Sequence, residues 1–173
     1  VISLGGIVQS TSVKCAGNKL DQAIADYIKK QFNLAIGEKT AEQIKIKIGI
    51  ATEKEEDLEL VIKGRDYIEG LPKSVTITSK EILKAIEKEL KQIVGAIKDV
   101  LQETPPELAS DIIDNGIVMT GGSSQLRGLT ALVYEKTGVK ARLADDALYC
   151  VAKGTGIALE HLETYKKAII AKK

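Results

Sequence analysis

At 173 residues the chain is long enough for one domain, or one domain carrying a small lobe. Its 44% hydrophobic and 28% charged residues are those of an ordinary globular protein, and a net charge of +1 gives no basis for bulk nucleic-acid binding. Phe32 is the only Phe, there are five Tyr and no Trp, so no base-stacking platform is expected, and no apolar run is long enough to span a bilayer.

The chain opens on "VISLGGIVQSTSVKC", inside a strand pattern and without Met, as though cut from something longer. Ile2 to Val8 and Val8 to Cys15 read as two strands joined through a turn at Gly5-Gly6. Leu20, Ile24, Tyr27, Ile28 and Phe32 then recur at helical spacing, with Asn18 as the expected N-cap and Asp21 in the first turn. "IGEKTAEQIKIKIGIA" reads as a second helix, with Thr40 and Gln43 as a capping box, Ile44 and Ile48 on the apolar stripe and Lys45 off it. Leu58, Leu60 and Ile62, and later Val75 and Ile77, alternate as two strands of a hairpin whose connection holds Gly64, Gly70 and Pro72. Residues 38–78 stand out as a candidate insertion.

Ser79 is the expected cap of a long helix striped by Ile82, Ile86, Leu90, Ile93, Ile97 and Val100, which stops before Pro105-Pro106. "PELASDIIDN" is a short helix with Pro at its start. A strand from Ile117 to Met119, a turn from Thr120 to Ser124 and a helix from Gln125 to Thr137 follow, closed by Gly138 as C-cap. Val139 to Leu143 reads as a strand, and a last helix runs from Ala147 towards the C-terminus, with Asp146 at its start. The order β-β-α-α-β-β-α-α-β-α-β-α makes a mixed α/β chain.

The chemistry open to these elements is narrow. No Gly-x-Ser-x-Gly elbow is present, the single histidine, His161, has no nucleophile nearby in sequence, and no His/Cys/Asp/Glu group has metal-ligand spacing. Asp145 and Asp146 are adjacent, so their side chains diverge. Cys15 and Cys150 read as buried reduced thiols. The glycine run "GGSSQLRG" is neither a Walker P-loop nor a dinucleotide fingerprint. It still combines a strand end, two glycines that allow close backbone approach and a helix start with free N–H groups. On these residues alone two readings stay open: a connector turn in which Ser123 caps the helix, or a ligand seat.

Several stretches taken together resemble the C-terminal half of the MreB/Mbl family of bacterial actin homologues. They are "VISLGGIV", "AGNKLDQAIADYIKKQFNLAIGEKTAEQIKIKIG", "GLPKSVTITSKEIL", "TPPELASDIIDNGIVMTGGSSQLRGL" and "DDALYCVAKGTGIALE", in the family's order and over nearly the whole chain. The resemblance implies an actin-like (ribonuclease H-like) α/β domain with a mixed sheet flanked by helices, plus a small inserted α+β subdomain. Residues 1–16 and 79–173 would form the core subdomain and 17–78 the insertion, with the first actin-like domain absent from the chain. The family's T-G-G-G-A adenosine motif matches Thr120, Gly121 and Gly122 and departs at Ser123 and Ser124, and the turn runs on to Gln125. The family's second adenosine-contacting stretch matches Glu42, Gln43, Ile44 and Lys45. Asn18 stands where the family usually has Asp.

The same resemblance implies ATP with Mg2+ as cofactor of the complete protein, the Mg2+ not being ligated by this chain. The family's phosphate loops, catalytic glutamate and membrane-binding elements precede residue 1, so the chain alone is not expected to hydrolyse ATP. Implied partners are further copies of the protein in a filament and the first domain of the same protein, with membrane contact only indirect and no nucleic acid. The implied location is the bacterial cytoplasm, in filaments at the inner face of the membrane. Two other functions compete: an actin-fold scaffold or binding module without productive ATP hydrolysis, motivated by Ser123, and a chaperone-type ATPase or sugar kinase of the actin superfamily.

Overall fold

The computed structural model describes residues 1–165, which carry seven strands and six α-helices in the order β-β-α-β-α-β-β-α-α-β-α-β-α. One strand was not expected: β3 (Leu34–Ala35), which follows helix α1 (Gly17–Phe32) through Asn33 in a left-handed conformation. It pairs antiparallel with β4 (Glu59–Asp66), which in turn pairs with β5 (Pro72–Thr78) over seven registered residues. The predicted hairpin is therefore the body of a three-stranded sheet.

Helices α1, α2 (Glu38–Ile48) and α3 (Ser79–Gln102) close over one core. Leu20, Ile24 and Ile28 of α1, Ala41, Ile44 and Ile48 of α2, and Ile82, Ile86 and Leu90 of α3 are all buried. This cluster also takes in Ile62 and Ile77 of the sheet and Leu129 of α5 (Leu129–Thr137), so it runs across the expected boundary at residues 78–79. The α3 stripe continues through Val94, not Ile93. Ile93, Ile97 and Val100 are half-buried on the flank facing the N-terminal residues and α4 (Pro106–Asn115).

Four capping expectations are corrected. Helix α1 begins at Gly17 with Ala16 as N-cap, so Asn18 lies inside the helix and Asp21 beyond its first turn. Helix α2 is capped by Gly37, and Thr40 sits in the first turn with no capping box; a start at Glu38 sets that acid against the helix dipole and turns Ala41, Ile44 and Ile48 inward. Thr78, one residue before Ser79, caps α3 in a capping box with Glu81. That frees Ser79 for a buried role, in which its hydroxyl accepts from the Leu58 N–H at 3.1 Å.

The first hairpin is shorter than expected: β1 (Ile2–Ser3) pairs with β2 (Gly6–Ile7), and residues 8–15 form no strand. Val8 and Val13 are exposed there, and alternation without a neighbouring strand does not make a ladder. The parallel pair β6 (Ile117–Met119) and β7 (Ala141–Leu143) forms a separate two-stranded sheet, so the strands lie in three sheets: the antiparallel β1–β2 pair, the antiparallel three-stranded sheet and this parallel pair. Gly138 is the left-handed C-cap of α5, as expected. Helix α6 (Cys150–Glu160) follows a short 3-10 turn at Ala147–Tyr149 that begins after Asp146. The part of the predicted last helix beyond residue 165 lies outside the described residues.

Candidate functional site

The turn after β6 is built differently from a simple strand–helix connector. Gly121 has φ +87°, a conformation that suits glycine, and nothing lies within 4 Å of where a side chain would begin. Gly122–Gln125 then forms a single 3-10 turn, in which the Ser124 hydroxyl donates to the Gly121 carbonyl at 2.6 Å. The helix expected from Gln125 starts only at Leu129. The interruption is tertiary: Arg127 bridges to Ile50 as a parallel strand partner, and its carbonyl accepts from the Ala51 N–H at 2.8 Å. Gly128 must then turn left-handed (φ +75°) against Thr52, whose Cγ2 lies 2.6 Å from where a side chain would begin.

Three separate parts of the chain meet beside this turn. Lys45, on α2, donates to Asp21 Oδ2 of α1 at 2.9 Å and lies 2.8 Å from Oδ1, with both side chains only 13% exposed, and reaches the Gly17 carbonyl at 3.4 Å. A side chain at Gly17 would begin 3.2 Å from both Lys45 Nζ and Ser123 Oγ. The helix start at Gly17, the α2 ammonium and the turn hydroxyl therefore share one small space. Ser123 accepts no strain: its φ is not positive, and its hydroxyl caps no helix and has no hydrogen-bond partner among the described residues.

The sequence-derived site residues divide by environment. Glu42 and Gln43 are exposed on α2, and Gly122 and Gln125 are exposed on the turn. Lys45, Gly121 and Ser123 are half-buried at the meeting point. Ile44 packs into the core and Ser124 is buried, so each supports its neighbours without offering a side chain outward. Among the described residues no group of three His, Cys, Asp or Glu could hold a metal ion. Cys150 is half-buried, not buried as expected, while Cys15 is buried and its thiol is pushed up chiefly by that burial.

Arg127 escaped the sequence reading. Its guanidinium donates to the Ser79 hydroxyl at 3.1 Å and points at the Gly49 and Ile48 carbonyls at 3.4 Å, at the C-terminal end of α2. It ties the turn, the end of α2 and the start of α3 into one unit, and it sets a cation where the α2 dipole is negative. The available signal was its rarity, one of only three arginines, placed directly after the glycine turn.

The family model described as MreB/Mbl protein matches residues 1–167. The chain belongs to the MreB/Mbl family. It is 46% identical over 167 residues to the cell shape-determining protein Mbl of Bacillus cereus, covering 96% of this chain and 50% of that protein. It is 45% identical over 165 residues to the cell shape-determining protein MreB of Escherichia coli, covering 95% of this chain and 48% of that one. The chain thus spans about half the length of the curated relatives it matches. The fold is actin-like: the crystal structure of MreB5 of Spiroplasma citri bound to AMPPNP superposes with a TM-score of 0.89 at 36% identity, over 97% of this chain and 50% of that one. The same protein bound to ADP gives 0.88 at 38% identity, over 98% and 51%. No helix among the described residues is long and apolar enough to cross a membrane.

Proposed function

We propose that this chain is the nucleotide-facing half of an MreB-like ATPase that polymerises and helps set bacterial cell shape. It contributes the adenosine side of an ATP site. The observation that carries this reading is the meeting of Gly17, Lys45 and Ser123 beside the open backbone of Gly121. The residues fit an adenosine group. Gly121 leaves room for close approach, and Lys45, oriented by Asp21, retains donor capacity towards the space that Ser123 Oγ borders. Glu42 and Gln43 lie exposed on the same helix, Gln125 on the turn. ATP would supply the phosphoanhydride whose hydrolysis loosens the filament. Its phosphates and Mg2+ would be held by the other half of the protein.

Ser123 has no positive φ, which supports the nucleotide reading by removing backbone strain as an objection to serine at this position. Tyr67, Ile68 and Leu71, exposed on the hairpin connection, supply apolar area for contacts between filament copies. Leu148, Val151, Ile157 and Leu159, exposed around α6, supply a face for the first domain. Filaments of this kind would lie in the cytoplasm against the membrane, reached only indirectly by this half.

The test is ATP affinity of the complete protein by titration calorimetry. Lys45→Ala should weaken binding by about tenfold, the worth of one charge-assisted hydrogen bond. Ser123→Gly should change it little. Absence of ATP binding in the unaltered complete protein would return the chain to the scaffold reading.

A further inference from the structure

A cavity of about 840 Å³ runs between α3, α5 and residues 51–54, and no residue of the Gly121 turn lines it. Its floor is apolar, made by Leu83, Leu90, Val94 and Leu132. Its rim carries five lysines and three glutamates. Two of the glutamates are already engaged: Glu135 by Lys54 at 3.1 Å and Lys136 at 3.0 Å, and Glu87 by Lys91 at 2.6 Å. Lys84 and Lys98 have no hydrogen bond or ion pair among the described residues. Lys84, Lys91 and Lys98 recur every seventh residue of α3, beside Leu83 and Leu90, also seven apart. Glu87, between Lys84 and Lys91 on the same stripe, neutralises Lys91, so the free charge along the seam is that of Lys84 and Lys98. An apolar seam flanked by free lysines two heptads apart is one side of a helix–helix interface, and its complement carries acids at the matching spacing.

Gly95 adds an independent sign. It lies on the groove wall in the interior of α3, where glycine is a poor helix former. Nothing stands within 4 Å of where its side chain would begin, so no packing inside this chain calls for a glycine. A gap in a helix wall lets a second helix approach closely.

We propose that this groove binds an amphipathic, acidic helix of a partner protein, laid along α3. Its apolar face enters the seam between α3 and α5, and acidic side chains at heptad spacing meet Lys84 and Lys98. The two lysines are fourteen residues apart, which corresponds to roughly 21 Å and therefore to about four turns of partner helix. The surface is concave, which favours a rod-shaped occupant over a planar bilayer.

The probe is a synthetic four-turn helical peptide with leucines at a and d positions and glutamates flanking them, measured against this chain by fluorescence anisotropy. Its glutamate-to-lysine counterpart serves as control. The acidic peptide should bind and the basic one should not. Lys84→Glu with Lys98→Glu should weaken binding by about tenfold or more, through lost attraction plus like-charge repulsion. Gly95→Leu should abolish binding without lowering the thermal midpoint, an outcome that separates a filled groove from a damaged fold. Equal binding of both peptides, or unchanged binding by the variants, overturns the proposal. Sedimentation with anionic phosphatidylglycerol vesicles that these variants abolish would overturn it in favour of a membrane surface. Self-association that Gly95→Leu abolishes would overturn it in favour of a second copy.

Discussion

Helices α1 and α6 are both rich in apolar residues, yet they meet opposite fates. Leu20, Ile24 and Ile28 of α1 are at most 1% exposed, whereas Val151 and Leu159 of α6 are 74% and 73% exposed. The first helix has α2, α3 and a three-stranded sheet to pack against within this chain. The second contributes no residue to the buried core and packs chiefly on the short 3-10 turn that precedes it. Apolar content therefore marks a face that needs a cover without saying whether the cover lies in the same chain. The candidate nucleotide turn sits at the junction of the two regions, anchored to the packed one by Arg127 and to the other by the Gly121 N–H, which donates to the Ala147 carbonyl at 2.7 Å.

The largest effect should come from the packed region. Ile24→Ala removes fully buried volume and should cost about 2–5 kcal/mol in urea denaturation, while Leu159→Ala should stay within about 0.5 kcal/mol in the same chain. Comparable losses at both sites would erase the contrast. Arg127→Met tests the junction. It removes one of the hydrogen bonds of the buried Ser79 hydroxyl, which keeps its bond from the Leu58 N–H, and uncovers the last carbonyls of α2, so a loss of about 1–3 kcal/mol is expected, with faster hydrogen exchange at the end of α2.

A pH titration addresses the hairpin connection. The Glu69 and Ile68 N–H groups and the Lys73 ammonium hold the Asp66 carboxyl at about 2, below its usual range near 4. A group depressed in the folded state contributes stability above its unfolded value, and that contribution fades as pH falls from about 4 through about 2. Asp66→Asn should flatten this acid limb of the stability curve; an unchanged slope would assign acid sensitivity elsewhere. The smallest effect belongs to the exposed Lys91–Glu87 pair. Glu87→Gln should lower the thermal midpoint only slightly, and the loss should vanish at high salt.

Much of the architecture was legible because local pattern and tertiary environment agree. The stripes of α1 and α2, the first half of the α3 stripe (Ile82, Ile86 and Leu90) and the alternation of β4 and β5 each match a face that is in fact covered, and Pro106 and Gly138 mark true helix ends. The errors fall where tertiary partners override local preference. Thr40 and Ser79 have good capping chemistry, but the register that buries Ile44 and Ile82 sets the caps at Gly37 and Thr78. Residues 8–15 alternate correctly but lack a neighbouring strand. Gln125 continues a helical pattern that the pairing of Ile50 with Arg127 interrupts.

The candidate site shows the same division. By itself the sequence determined the family, the actin-like fold and the two stretches, 42–45 and 120–125, in which a ligand seat was expected, because motif and periodicity are properties of contiguous residues. Only the tertiary structure decided that Gly17, Asp21, Lys45 and Ser123 share one space, that Ile44 and Ser124 turn inward, and that Arg127 fastens the turn to α2. Those facts depend on contacts between residues 24 to 106 positions apart, and no local pattern carries the distance between them.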